Sequence, residues 1–211
     1  QRVDGTAPML ILLHGYGSDE ADLLGLADHL DPRWHVISVR APLRLDMGGY
    51  AWFPIEFTDT GLAVDYEAGD EALQQLAQLL KTLQDGTGNS AADTFVLGFS
   101  QGGAMALGLL LARPEDLGGV AFLSGLWSRQ YMPATAPAAM RGKPVLQTHG
   151  IGDPLIPIAA AHASRELLQE LGVALTYREY GMGHQIDADC LRDVNAWLTA
   201  RLDGDSSEIP S

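Results

Sequence analysis

The stretch that most constrains the chain runs Thr94-Phe95-Val96-Leu97-Gly98-Phe99-Ser100-Gln101-Gly102-Gly103-Ala104-Met105-Ala106-Leu107. Its first half is an apolar run with β-branched and aromatic residues, and its second half is small and helix-compatible. It therefore reads as a buried strand turning directly into a helix. The turn carries Gly98-x-Ser100-x-Gly102. A serine at the tip of so sharp a turn is held in a strained backbone conformation, and the flanking positions must lack side chains or strand and helix collide. The hydroxyl is pushed out above the carboxyl end of a sheet. The N–H of Gln101 lies at the start of the helix, where backbone donors are free and the dipole favours negative charge. One turn thus supplies a candidate nucleophile and half of an anion-binding site.

The rest of the chain provides a sheet for that turn to stand on. Met9-Leu10-Ile11-Leu12-Leu13 is a continuous apolar run bounded by Pro8 and by His14-Gly15-Tyr16-Gly17, as suits a strand covered on both faces. Asp19 is placed to cap a following helix, with Leu23, Leu26, Ala27 and Leu30 on one face and Asp31-Pro32 at its end. Residues 35–39 read as a strand, 40–65 as a long irregular excursion of the kind that often carries function, and 66–84 as a helix with Leu73, Leu76, Ala77, Leu80 and Leu83 on its core stripe. Further strands are expected at 120–124, 144–149 and 174–179, helices at 158–171 and 187–202, and a loop with at most a short helix at 125–142. Such alternation implies a three-layer α/β domain with a mostly parallel central sheet over residues 1–203. The polar, acidic residues 204–211 are expected to be a disordered tail.

Charge and composition exclude several functions. Thirteen basic against 27 acidic residues give a formal net charge of −14, and the few basic residues are scattered. A nucleic-acid or anionic-membrane partner held by a basic face is therefore not expected. The single cysteine, Cys190, allows no intramolecular disulfide and no thiolate metal site, and its helical setting makes it a small core residue. No apolar run is long enough for stable membrane insertion, and the first residues do not read as a secretory signal, so the cytoplasm is the default expectation.

A serine nucleophile needs a base, and the base needs an acid to fix its tautomer. On an α/β-hydrolase sheet these follow in the chain order Ser, Asp or Glu, His, each on a loop after a strand. Asp153, in Gly150-Ile151-Gly152-Asp153-Pro154-Leu155-Ile156-Pro157, and His184, in Gly181-Met182-Gly183-His184-Gln185, meet that order. Asp153 has a rival role as cap of the next helix. His29 and His162 fall on helices and His35 begins a strand. His14 and His149 each close a strand before glycine, where hydrogen bonding to loop backbone is the expected job. A second oxyanion donor is expected from His14-Gly15-Tyr16-Gly17; Tyr16 is assigned, with Gly15 and Gly17 as alternatives. No His-Glu-x-x-His or other metal-binding spacing is present, so neither metal nor cofactor is expected.

Together Leu13-His14-Gly15-Tyr16-Gly17, Gly98-Phe99-Ser100-Gln101-Gly102-Gly103, His149-Gly150 with Asp153-Pro154-Leu155-Ile156-Pro157, and Gly181-Met182-Gly183-His184 resemble the phospholipase/carboxylesterase family of α/β-hydrolases, which includes the acyl-protein thioesterases. The resemblance spans nearly the whole chain in order. It implies a Ser100-Asp153-His184 triad, an oxyanion hole from the Tyr16 and Gln101 amides, cofactor-free hydrolysis of small-molecule esters or thioesters, and the homodimers common among relatives. Three departures stand out. Gln185 replaces the serine that commonly follows the catalytic histidine in members acting on lipidated proteins. Ile151 replaces an acidic residue two positions before the aspartate, and Ala51-Trp52-Phe53-Pro54-Ile55 lacks the aspartate of the Ser-Trp-Phe-Asp loop. The thioesterase substrate does not follow from the hydrolytic core.

Trp52, Phe53, Trp127, Met132, Leu155 and Ile156 are the expected acyl-pocket walls. No separate cap domain fits in the length, which points to a shallow cleft and short to medium acyl chains. The expected function is a carboxylesterase, with acyl-protein thioesterase or lysophospholipase activity as the alternative. A catalytically silent binding module is disfavoured by the ordered Ser, Asp and His, and a dienelactone-hydrolase-like enzyme by serine where such enzymes carry cysteine.

Overall fold

The computed structural model of the chain describes residues 6–58, 61–132, 135 and 137–204. Strand β1 (Met9–Leu13) leads through the loop to a short helix α1 (Glu20–Leu24) and strand β2 (His35–Val39). The small strands β3 (Leu43–Arg44), β4 (Tyr50–Ala51), β5 (Ile55–Thr58) and β6 (Gly61–Val64) precede the long helix α2 (Tyr66–Thr87). Then come β7 (Thr94–Phe99), α3 (Gln101–Ala112), β8 (Gly119–Leu123), β9 (Pro144–Gly150), α4 (Ile158–Glu170), β10 (Ala174–Tyr180) and α5 (Ala188–Leu202).

Six strands form one sheet in the order β10-β9-β8-β7-β1-β2, every neighbouring pair parallel. Parallel pairing demands crossovers, and the crossovers put helices on both faces. Side-chain alternation along β1 divides its apolar run between the two resulting cores. Met9, Ile11 and Leu13 pack with residues of α2, α3 and α4, while Leu10 and Leu12 pack with residues of α1 and α5. All five are essentially inaccessible to solvent. Each such side chain contributes roughly 1.5–3 kcal/mol from burial, so an uninterrupted apolar strand is what a twice-covered position requires. On the second face Trp197 meets Phe95 edge-on at 6.1 Å, and Phe95 meets Trp34 at 5.5 Å. Helix α3 is buried almost all round, which explains why its sequence has no polar stripe.

Aspartates begin three of the helices as expected of caps: Asp19 accepts from the Ala21 amide, Asp65 from Ala68 and Asp187 from Cys190. Two sequence expectations need correction. The helix expected from Asp19 to Leu30 is instead α1 followed by a single 3₁₀ turn at Ala27–His29. The interruption falls at Gly25, a residue that costs roughly 1 kcal/mol relative to alanine inside a helix, and only Leu23 of α1 is buried to offset it. The supposedly irregular 40–65 segment contains two antiparallel pairs, β3 with β4 and β5 with β6. The β4 residue Tyr50 also bridges Ser18, which ties this segment to the loop after β1. Strands of two to four residues are too short to display a period. Among the described residues of 125–142 are two 3₁₀ turns, Arg129–Tyr131 and Ala138–Met140. The tail expected at 204–211 lies, apart from Gly204, outside the described residues. Among those residues no helix is long and apolar enough to cross a membrane.

Cys190 sits in the α5 core with no solvent exposure, and burial pushes its thiol up to about 11. The thiolate is the reactive form. Native protein is therefore expected not to react with Ellman's reagent near neutral pH, and denatured protein to release one equivalent. Rapid reaction of the native protein would contradict this packing.

Candidate active site

Ser100 follows β7 and precedes α3, with φ 55° and ψ −118°. A positive φ is costly for any residue but glycine, and it persists where surrounding structure over-determines it. Here the constraint is visible: the Ser100 amide donates to the Leu123 carbonyl at the end of β8, and the Ser100 carbonyl accepts from Ala104 in α3. Close packing of strand and helix is possible because Gly98 and Gly102 face each other; a Cβ built on Gly98 would lie 2.1 Å from the Gly102 oxygen.

The other two candidates meet Ser100 from separate loops. His184 Nε2 is 2.9 Å from Ser100 Oγ, and its Nδ1 is 2.6 Å from Asp153 Oδ2. A carboxylate only accepts, so Nδ1 carries the proton and Nε2 is left to accept from the serine hydroxyl. The Asp153 side chain is fully buried and that of His184 is 14% exposed. Asp153 Oδ1 accepts from the Leu155 and Ile156 amides at 2.8 and 2.9 Å. Burial pushes the Asp153 carboxyl up, but the Ile156 amide, the His184 imidazole and the Leu155 amide together outweigh it and hold it below the usual carboxylate range. The expected rival role as helix cap is absent: helix α4 begins at Ile158 with no side-chain cap bond, and the amides Asp153 holds belong to its own turn. The His184 ring also packs at 4.9 Å from Phe99, the residue before the serine.

Ser100, Gln101, Tyr16 and His184 all line one cleft of about 270 Å³. Of the three amides considered on the first loop, that of Gly17 is committed to the Tyr50 carbonyl at 2.8 Å. The loop itself is braced by His14, whose Nδ1 donates to the Gly15 carbonyl and whose Nε2 accepts from the Ala41 amide. That is the backbone-bonding job expected of a histidine closing a strand.

A nucleophile, base and acid hydrogen-bonded in series beside helix-start amides can carry out acyl transfer. The sequence profile of the family described as phospholipase/carboxylesterase matches residues 3–202. The chain belongs to the phospholipase/carboxylesterase family. Carboxylesterase SOBER1 of Arabidopsis thaliana is 30% identical over 167 residues, covering 74% of this chain and 70% of the relative. Acyl-protein thioesterase 1 of Eremothecium gossypii is 29% identical over 208 residues, covering 92% of this chain and 88% of its own. Among solved structures, esterase PE8 has a TM-score of 0.80 at 31% identity, over 93% of this chain and 94% of that one. This member of the phospholipase/carboxylesterase family is a carboxylesterase-type hydrolase.

The expected acyl-pocket residues divide in two. Phe53, Leu155 and Ile156 line the cleft. Trp52, Trp127 and Met132 do not. Trp52 is buried, with its indole N–H on the His14 carbonyl and its amide on Gln101 Oε1. Trp127 borders a smaller cavity of about 90 Å³ between α2 and α3, and Met132 packs on the α2–α3 core. Large aromatic surface is worth most when removed from water, so a tryptophan beside a cleft is readily taken inside as support. The cleft also draws on residues sequence reasoning missed, notably Ile55, Val64, Ala104 and Leu126. Ala104 alone carried a signal, lying one helical turn after Ser100 on the same face. The Gln101 side chain was also missed. It is buried and holds Trp52 and Phe53 through their backbone, accepting from the Trp52 amide at 2.9 Å and donating to the Phe53 carbonyl at 2.8 Å. Of the departures from the thioesterase pattern, Ile151 is 56% exposed and Gln185 is exposed.

Proposed function

We propose that the protein hydrolyses carboxylic esters of short to medium acyl chain through an acyl-enzyme formed on Ser100. The observation that carries this reading is the unbroken series Ser100 Oγ, His184, Asp153 at the floor of a largely apolar cleft. Ser100 Oγ loses its proton to His184 Nε2 and attacks the ester carbonyl. The Tyr16 and Gln101 amides receive the charge that develops on the carbonyl oxygen. The C–O bond to the leaving group breaks as the imidazolium returns the proton to the departing alcohol. Water, deprotonated by the same nitrogen, then attacks the acyl-enzyme; the acyl C–Oγ bond breaks as the imidazolium returns the proton to Ser100, and the acid is released. Asp153 keeps the proton of His184 on Nδ1 throughout and stabilises the imidazolium.

The chain-length assignment is supported by the size of the cleft. Its cavity of about 270 Å³ lies at the lower bound of ordinary ligand sites, roughly 300–1,000 Å³. Phe53, Val64 and Ala104 border both it and the adjoining cavity of about 90 Å³. Across a series of p-nitrophenyl esters from acetyl to palmitoyl, kcat/KM is expected to peak among the short and medium chains and fall at least about tenfold by palmitoyl. Activity confined to the long chains would overturn the assignment.

Acyl-thioester or lysophospholipid hydrolysis is the second reading, favoured by the similarity to acyl-protein thioesterase 1 along 92% of the chain. Matched oxygen and sulfur esters with the same acyl group, and lysophospholipid, separate the two. Failure of a fluorophosphonate to label the folded protein would favour a silent binding module instead. The cytoplasmic setting and homodimer expected from sequence and family belong to the same proposal, and fractionation and light scattering read them directly.

A further inference from the structure

A second histidine, His149, lies close to the same carboxylate oxygen of Asp153 that meets His184. His149 lies next to last in β9 and is fully buried. Its Nε2 is 2.8 Å from the Ile156 carbonyl oxygen and 3.5 Å from Asp153 Oδ2. A carbonyl can only accept, so Nε2 carries the proton. The other ring nitrogen, Nδ1, is buried without a hydrogen-bond partner. His149 thus turns its Nε2–H toward the Asp153 turn.

That N–H closes a ring of contacts. The Ile156 peptide is gripped from both ends: its amide donates to Asp153 Oδ1 at 2.9 Å and its carbonyl accepts from His149 at 2.8 Å. With Oδ1 occupied by two amides, the carboxylate plane is set and Oδ2 is left facing His184. Without His149, the Ile156 carbonyl loses its buried donor and the far end of the turn that aims Asp153 loses its side-chain tie to β9, leaving the Asp153 amide on the Gly150 carbonyl at the near end. The cost of aiming error is high in this chemistry, since a displacement of about 1 Å lowers rates roughly 100-fold.

We propose that His149 is a positioning residue for the Ser100 site, anchoring the Asp153–Ile156 turn to β9 so that the carboxylate stays aimed at His184. The proposal rests on the reading of Ser100, His184 and Asp153 as the triad. His149 is not among the cleft-lining residues and acts through the Asp153–Ile156 turn.

The test compares His149→Gln with His149→Asn. A glutamine side-chain amide reaches about as far as Nε2 of histidine, whereas that of asparagine stops near Nδ1. Rates are expressed per site titrated with fluorophosphonate, so that any misfolded fraction drops out. His149→Asn is expected to lower kcat about 10- to 100-fold and to abolish the far-downfield proton NMR resonance of the His184–Asp153 hydrogen bond. His149→Gln is expected to recover most of both. Equal kcat in the two variants, or a wild-type resonance in His149→Asn with only a lower melting temperature, would overturn the proposal. Failure of the underlying triad reading is recognised separately, by wild-type turnover in Ser100→Ala or fluorophosphonate attached elsewhere than Ser100.

Discussion

Ser100→Ala is expected to lose roughly five to six orders of magnitude in kcat while keeping the melting temperature within a few degrees of wild type. Both halves of the expectation follow from what Ser100 does. Its side chain has one polar contact, the 2.9 Å bond to His184 Nε2, and sits half-buried at the cleft floor, so alanine leaves no buried donor stranded. The chemistry, by contrast, depends on Ser100, the one hydroxyl hydrogen-bonded to His184 Nε2 among the described residues. Initial rates on a medium-chain ester, read with intact mass after fluorophosphonate treatment, check the loss of turnover and of covalent adduct together. Asp153→Asn should stop nearer 10⁴-fold. An amide at that position can donate to His184 Nδ1, which moves the imidazole proton to Nε2 and leaves the serine hydroxyl without an acceptor. Ser100→Ala turning over within tenfold of wild type would remove the acyl-enzyme from the mechanism altogether.

What sequence alone revealed of this site was whatever backbone geometry imposes on residue type. Gly98, Ser100 and Gly102 are legible because a tight strand-to-helix turn admits few alternatives at those positions. The uninterrupted run of β1 is legible because both faces of a central parallel strand are covered. Asp153 and His184 were nominated by chain order and by their place after β9 and β10. The illegible parts depend on which neighbour a side chain meets. Nothing local distinguishes Phe53, which walls the cleft, from Trp52 beside it, which turns inward to hydrogen-bond the His14 carbonyl. Likewise, the use of the Gln101 side chain is set by a segment some fifty positions earlier in the chain. The small strands β3 to β6 were missed because each is held by its partner, and β4 also by the Ser18–Tyr50 bridge, and not by a periodic pattern. Short, tertiary-dependent contacts of this kind shape the cleft.

The same geometry predicts a large stability effect from one methyl group. A Cβ built on Gly102 would stand 2.0 Å from the Leu13 oxygen and 2.6 Å from the His14 oxygen. Opening the first contact to 3.0 Å, the shortest separation real Cβ atoms show, means moving helix and strand apart by 3.0 − 2.0 = 1.0 Å. Neither side can give cheaply. β1 is paired along its whole length with β2 and β7, and α3 is buried almost all round against β7, β8, β1 and helix α2. Overpacking typically costs about 1–3 kcal/mol where neighbours can adjust; with backbone on both sides of the clash, Gly102→Ala is expected to cost about 4 kcal/mol or more. At roughly 2–4 °C per kcal/mol for a chain of this size, the melting temperature should fall by about 8–16 °C. The molecules that remain folded should also be slower, because the displacement separates the Gln101 amide from the loop that carries Tyr16. Gly86→Ala in α2 is the matched control. Nothing lies within 4 Å of the added Cβ there, and alanine is favoured in a helix by roughly 0.5–1 kcal/mol, so that variant should melt at or slightly above the wild-type temperature. If Gly102→Ala melted with Gly86→Ala and kept full activity, α3 would have to be free to retreat from β1, and the clearance at the Ser100 turn would not be what sets its geometry.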